Sequence, residues 1–193
     1  MDATDRLMGR YGFRKMTMED IAKEAGVSKR TIYVHFAGKE DVGLSSIGRV
    51  VQQVQDELAD LAQSDKTVSD RLTAVLIHRV LGRLTRVQDY SQSLDELFEA
   101  VRPKYLERRK AFFDKEVELI NGLLEAGRSE GVFFFEDGPA CAKMLLLATN
   151  AFIPYSLSVR EIGELPRVEQ NLRTMVALLM AGLGCPKCTE KSK

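Results

Sequence analysis

The sequence has no tryptophan, only three cysteines and only five prolines in 193 residues. Three cysteines (Cys141, Cys185 and Cys188) are too few for the disulfide framework that staples small secreted domains. Scarce proline, with almost no strict apolar–polar alternation, argues for an all-α fold. Net charge is missing as well, since 28 basic residues balance 28 acidic ones. The chain as a whole is therefore no general polyanion binder, and any nucleic-acid contact must come from a local basic surface. The longest apolar run, around Met144–Tyr155, falls far short of the ~20 residues of a membrane-spanning helix. No charged-then-apolar leader opens the sequence, so a cytoplasmic protein is expected. Nucleophile elbows, phosphate loops and zincin motifs are absent, and neither an enzyme nor a cofactor is expected. What is present, 45% hydrophobic and 29% charged residues, is the composition of an ordinary globular protein.

The most informative stretch is Thr17–Phe36, TMEDIAKEAGVSKRTIYVHF. Thr17 followed three residues later by Asp20 is a capping-box pattern. Met18, Ile21, Ala22 and Ala25 then recur as one apolar helix face. Gly26 suits a left-handed C-cap, and Ser28 the N-cap of a second helix, Lys29–His35. So short a helix needs a neighbour, and Val27, Ile32 and Phe36 are the residues expected to lock it there. Lys29, Arg30, Thr31, Tyr33 and His35 are left outward. Two short helices joined by such a turn form a helix-turn-helix, whose second helix enters the major groove of DNA.

With those residues in place, the stretch T-M-E-D-I-A-x-E-A-G-V-S-K-R-T-I-Y-x-H-F-x-x-K-E resembles the DNA-binding domain of the TetR (tetracycline-repressor) family of bacterial transcription regulators. The resemblance implies DNA contacts from Thr17, Ser28, Lys29, Arg30, Thr31, Tyr33, His35 and Lys39. In the family pattern Thr17, Tyr33, His35 and Lys39 serve mainly phosphates; Lys29 and Arg30 open the recognition helix, where groove-facing residues lie, so one or both are expected to reach base edges. The family's first helix is usually longer and preceded by a basic arm. Here it spans Asp2–Tyr11, which implies weaker DNA affinity than is typical.

Helical spacing continues along the chain. A long helix is expected over Gly38–Ala62, joining head to body. Five more follow: Val68–Leu84, Tyr90–Val101, Lys104–Arg128, Pro139–Tyr155 and Val168–Leu183, about nine in all. Pro103 is expected to separate the second and third of these. The domains expected are a helix-turn-helix domain over 1–47, an effector and dimerisation domain over 48–184, and a polar tail over 185–193. The last two helices are apolar on more than one face, which suits homodimerisation through 140–155 and 168–183, with Leu172 and Leu179 in the interface.

A pocket beneath the long connecting helix is expected to be lined by Ile77, Leu81, Phe98, Tyr105, Phe112, Met144 and Phe152. Cys185-Pro-Lys-Cys188 supplies only half a zinc site, so no metal is assigned. Asp95, Glu96 and Glu99 read as a solvated acidic face. The expected function is a ligand-responsive regulator, in this family usually a repressor, released from a palindromic operator by a small molecule. The alternatives are an effector-independent dimeric DNA binder and a helical ligand-binding or interaction protein with impaired DNA binding.

Overall fold

Capping groups and apolar spacing start and stop most of the helices. The structure, a computed structural model, describes residues 3–153 and 163–184. Those residues hold eight α-helices and no strand. They are α1 Ala3–Tyr11, α2 Met18–Ala25, α3 Lys29–His35, α4 Lys39–Ala62, α5 Val68–Val87, α6 Ser91–Ser129, α7 Gly138–Asn150 and α8 Leu165–Leu183. A 3-10 turn, Gln88–Tyr90, links α5 to α6. Thr67 and Asp137 cap α5 and α7 with their side chains. Cys185 and Cys188 lie outside the described residues, as does Tyr155.

The expected break at Pro103 does not occur, and α6 runs through it for 39 residues. Proline inside a helix costs ~3 kcal/mol through its missing N–H and its clash with the preceding turn. Burial outweighs that cost. Leu94, Leu97, Val101 and Tyr105 are all buried around an exposed Pro103, and each is worth roughly 1.5–3 kcal/mol of transfer energy.

These residues pack into the head, where Leu7, Met8, Phe13, Met16, Ile21 and Ile32 form one cluster with them. The head therefore shares its core with α6, and α4 crosses residue 47 without interruption. Helices α4 and α6 approach closely at Gly43, where a Cβ would lie 2.5 Å from Leu97 Cδ1 and 3.0 Å from the Phe13 ring. Polar pins reinforce the joint. Asp5, buried on α1, accepts from Ser46 Oγ at 2.7 Å and from the Arg49 guanidinium at 3.0 Å. Ser93 Oγ donates to the Met8 carbonyl at 2.8 Å. Glu96 and Glu99 are also more than a solvated face: Glu96 accepts the Arg14 backbone N–H, and Glu99 pairs with its guanidinium.

A second cluster, built from Leu58, Leu76, Ile120, Leu124, Leu146 and Leu172 among others, forms the body. Leu172 is 0% exposed and belongs to this core, so it is not an interface residue, and Leu179 is half-buried against the same cluster. The outward side chains on the last two helices are instead Met144, Leu147 and Leu178, with Ala177 and Ala181 beside Leu178. No helix among the described residues is long and apolar enough to cross a membrane.

Candidate nucleic-acid interface

The helix-turn-helix forms by local chemistry. Thr17 Oγ1 accepts the Asp20 N–H at 3.2 Å, and Asp20 Oδ2 accepts the Thr17 N–H at 3.0 Å, closing the capping box. The Thr17 hydroxyl and N–H hold the Asp20 carboxyl below its ordinary pKa. Gly26 takes φ 68°, a left-handed value that favours glycine. Its N–H and that of Val27 return to the carbonyls of Lys23 and Ala22, a Schellman end to α2. Ser28 Oγ then accepts the Thr31 N–H at 3.1 Å and starts α3.

Ile32 is the one buried side chain of α3, and Phe36 is half-buried behind it. Val27, expected to help lock the helix, is 42% exposed. The turn needs its backbone N–H more than its side chain. Lys29, Arg30, Thr31, Tyr33, Val34 and His35 all face outward. Val34 is the residue sequence reasoning passed over. It is 72% exposed in the last turn of the helix, and an outward valine in a cationic strip was the available signal.

The basic face has limits. Lys29 lies 3.7 Å from the Glu19 carboxylate, and Thr31 Oγ1 is 2.8 Å from Ser28 Oγ. Lys39 Nζ donates to the Arg14 carbonyl at 2.9 Å and to the Phe13 carbonyl at 3.4 Å, above the Phe13 ring. It thus ties the start of α4 to the loop after α1. Arg6 and Arg10 both pair with Glu24, bracing α1 on α2 and holding that carboxyl below its usual range.

The residues expected to line an effector pocket are not brought together as one group. Phe98 and Tyr105 meet edge to face at 5.4 Å and wall a small cavity, and Tyr105 and Phe112 wall the next. Ile77, Leu81 and Phe152 are half-buried against the body core. Met144 points outward, 56% exposed. The reason lies in α7, which is apolar on both sides. Ala142, Leu145, Leu146 and Thr149 take its inner face, and periodicity alone could not choose between them and Met144.

Sequence reasoning also missed a buried ionic cluster in the body. Arg79 on α5 donates through Nε to Glu116 of α6 at 2.5 Å, through Nη1 to Thr149 Oγ1 at 3.0 Å, and through Nη2 to Asn150 Oδ1. Arg83, one turn on, pairs with the other Glu116 oxygen. Burial pushes the Glu116 carboxyl up, but the charges of Arg79 and Arg83 outweigh it and hold the group below 4.5.

Comparison with known proteins agrees with this geometry. Residues 1–43 match the family model described as bacterial regulatory proteins, tetR family. The HTH-type transcriptional regulator YfiR of Bacillus subtilis is 28% identical over 143 residues, 69% of this chain and 65% of that protein. The chain thus spans just under two thirds of that relative's length. A TetR/AcrR-family regulator from Thermobifida fusca superposes with a TM-score of 0.72 at 22% identity, covering 93% of each chain. FadR from Bacillus subtilis, solved in complex with stearoyl-CoA, gives 0.66 at 17% identity over 94% of this chain and 96% of that one. At such identities the likeness to the two solved structures is one of fold. The capped helix-turn-helix and the family match that covers it make residues 1–43 similar to the tetR family of bacterial regulatory proteins, and the described residues share the all-helical fold of the two solved regulators.

Proposed function

We propose that the chain is a homodimeric transcriptional regulator, a repressor that reads a palindromic operator through α3 and leaves it when a small molecule binds the body. The observation that carries this reading is the make-up of α3. One side chain is buried, six face out, two of these are cations and none is a carboxylate. A surface helix stabilised only by its neighbour, with a basic outer face, suits the major groove. Lys29, Arg30 and Val34 are its base-reading candidates. Thr17, Ser28, Thr31, Tyr33 and His35 are its phosphate-facing ones, and Lys39 keeps one ammonium proton for a phosphate beyond its two carbonyls.

One head reads too few base pairs for useful specificity, so two are needed one helical turn apart. Met144, Leu147 and Leu178 supply outward apolar surface on α7 and α8 for such pairing. The effector reading draws support from the complex of FadR with stearoyl-CoA, a property of that protein. The small size of the two cavities beside Phe98, Tyr105 and Phe112 favours the effector-independent binder as the second reading.

Selection of duplexes from a random pool tests the first part. A palindromic consensus bound by a dimer is the expected result, and recovery of no sequence above background overturns it. Release of that duplex by compounds from a metabolite screen separates the regulator from the plain binder.

A further inference from the structure

Three cavities lie in a row beneath α4. The first, about 200 Å³, opens between Gln55, Lys115 and Glu116. The second, about 20 Å³, lies between Glu116, Arg83, Arg109 and Phe112. The third, about 40 Å³, is walled by Val50, Leu94, Phe98 and Tyr105 among other apolar residues, and Arg83 is the one charged group in its wall. Neighbours share walls: Glu116 joins the first two, while Val51, Arg83 and Tyr105 join the last two.

Charge along this row does not balance. At its centre two guanidiniums, Arg79 and Arg83, face a single carboxylate, Glu116; Arg109, which has an interaction of its own and does not enter this balance, lies at the rim. Lys115 and Asp56 in the first cavity offset each other. Arg79 commits its nitrogens to Glu116, Thr149 and Asn150. Arg83 gives one nitrogen to Glu116, but its Nε is buried with no acceptor, and so is the amide nitrogen of Asn150. Asn150 is 5% exposed, and the Arg83 side chain 11%. Burying an uncompensated charge is costly, and native interiors rarely leave donors orphaned. The deficit here is one negative charge and an acceptor, at the mouth of an apolar cavity.

We propose that the row of cavities binds an amphiphilic monocarboxylate, its carboxylate beside Arg83 and Arg109 and its apolar chain between α4 and α6. This rests on the reading of the body as an effector domain and names the effector's chemical class. A planar guanidinium matches a carboxylate in geometry, and one negative charge meets the deficit where a dianion would overshoot it. The third cavity holds little more than a water as it stands. A chain entering it therefore has to part α4 from α6 near Val51 and Phe98. That is the joint holding the head to the body, so the open form is the state the ligand favours.

The test is calorimetry with decanoate, decanol, acetate and inorganic phosphate, each below the concentration at which it self-associates. Decanoate should bind once per chain, at least tenfold tighter than the other three. Arg83→Gln should lose at least tenfold of the decanoate affinity while leaving decanol unchanged. Should that protein melt early by circular dichroism, Arg109→Gln, at the rim, should still weaken decanoate severalfold. Equal binding of decanoate and decanol, binding of acetate or phosphate as tight as decanoate, no decanoate binding, or undiminished affinity in a folded Arg109→Gln protein each overturns the proposal. Duplex selection without any carboxylate keeps the two readings apart. Selected DNA with no decanoate binding sinks this inference alone, and decanoate binding with no selected DNA sinks the regulator and leaves the site.

Discussion

Lys104 of α6 places its ammonium 2.9 Å from Oδ1 of Asp41, in the first turn of α4. The Lys104 hydrogen bond holds the Asp41 carboxyl below its ordinary range, and Oδ2 accepts the Ala37 N–H at 3.1 Å. The pair is open to solvent, so it adds little to global stability. Its effect is local, fixing the turn between α3 and α4 to the body. Lys104→Ala should leave the melting temperature close to wild type and speed amide exchange across residues 37–41. Unchanged exchange there would show that the turn is held by other contacts.

Glu116 carries the opposite expectation. Glu116→Gln leaves two buried guanidiniums without a counter-charge, and should destabilise the fold by about 3–5 kcal/mol in urea unfolding. The sign of the pH dependence follows from the depressed pKa. The folded value lies below the unfolded 4.5, so the stabilisation is complete above about pH 4.5 and is lost as pH falls through the folded value. Acid unfolding of the Gln variant should accordingly be less steep. A Gln variant as stable as wild type would mean that Thr149, Asn150 and water satisfy Arg79 unaided.

On DNA, the outward residues of α3 and Lys39 of α4 should divide by chemistry. Arg30→Ala should change the preferred base, at ~1–3 kcal/mol if its contact to guanine is bidentate. Val34→Ser should weaken the preference for thymine at one position, since an outward valine can meet only its methyl group. Lys39→Ala should lower affinity for all sequences and flatten the salt slope by about one. Selection profiles of the Arg30 and Val34 variants and the salt dependence of Lys39→Ala, each compared with wild type, read these effects, and unchanged profiles for the first two would remove α3 from direct readout.

Association should separate two leucines six residues apart on α8. Leu178→Asp puts a charge on an exposed apolar face and should give a folded monomer by light scattering. Leu172→Asp buries a charge in the body core and should unfold the protein, at a cost of several kcal/mol. A dimer of unchanged mass with Leu178→Asp would move the interface elsewhere.

Legibility in the sequence followed the range of the interactions. The capping box at Thr17, the left-handed Gly26 and the Ser28 cap are each settled within a few residues, so their pattern can be read from the chain. Pro103 could not be read that way. Its local penalty is set against burial of Leu97 and Val101 beneath residues from α1 and α4, which are distant in sequence. Arg79 looks like any helical arginine until Glu116 and Asn150 come to it from 37 and 71 residues away. Met144 was misplaced because α7 offers apolar residues on every side, and only its packing partners choose a face.

The continuity of α6 has a mechanical consequence. At 1.5 Å per residue its 39 residues form a rod about 58 Å long. One end is riveted to the head through Glu96, Glu99 and Lys104, and the other reaches past Glu116 into the body. Pro103 sits near the rivets and omits one backbone bond, making it the softest point along the rod. From there to Ser129 is about 39 Å, so a bend of roughly 5° swings the far end by about 3 Å. A wedge of molecular thickness driven in beside Phe112 would thus arrive at the head as rotation, geared down by the short arm beyond the proline.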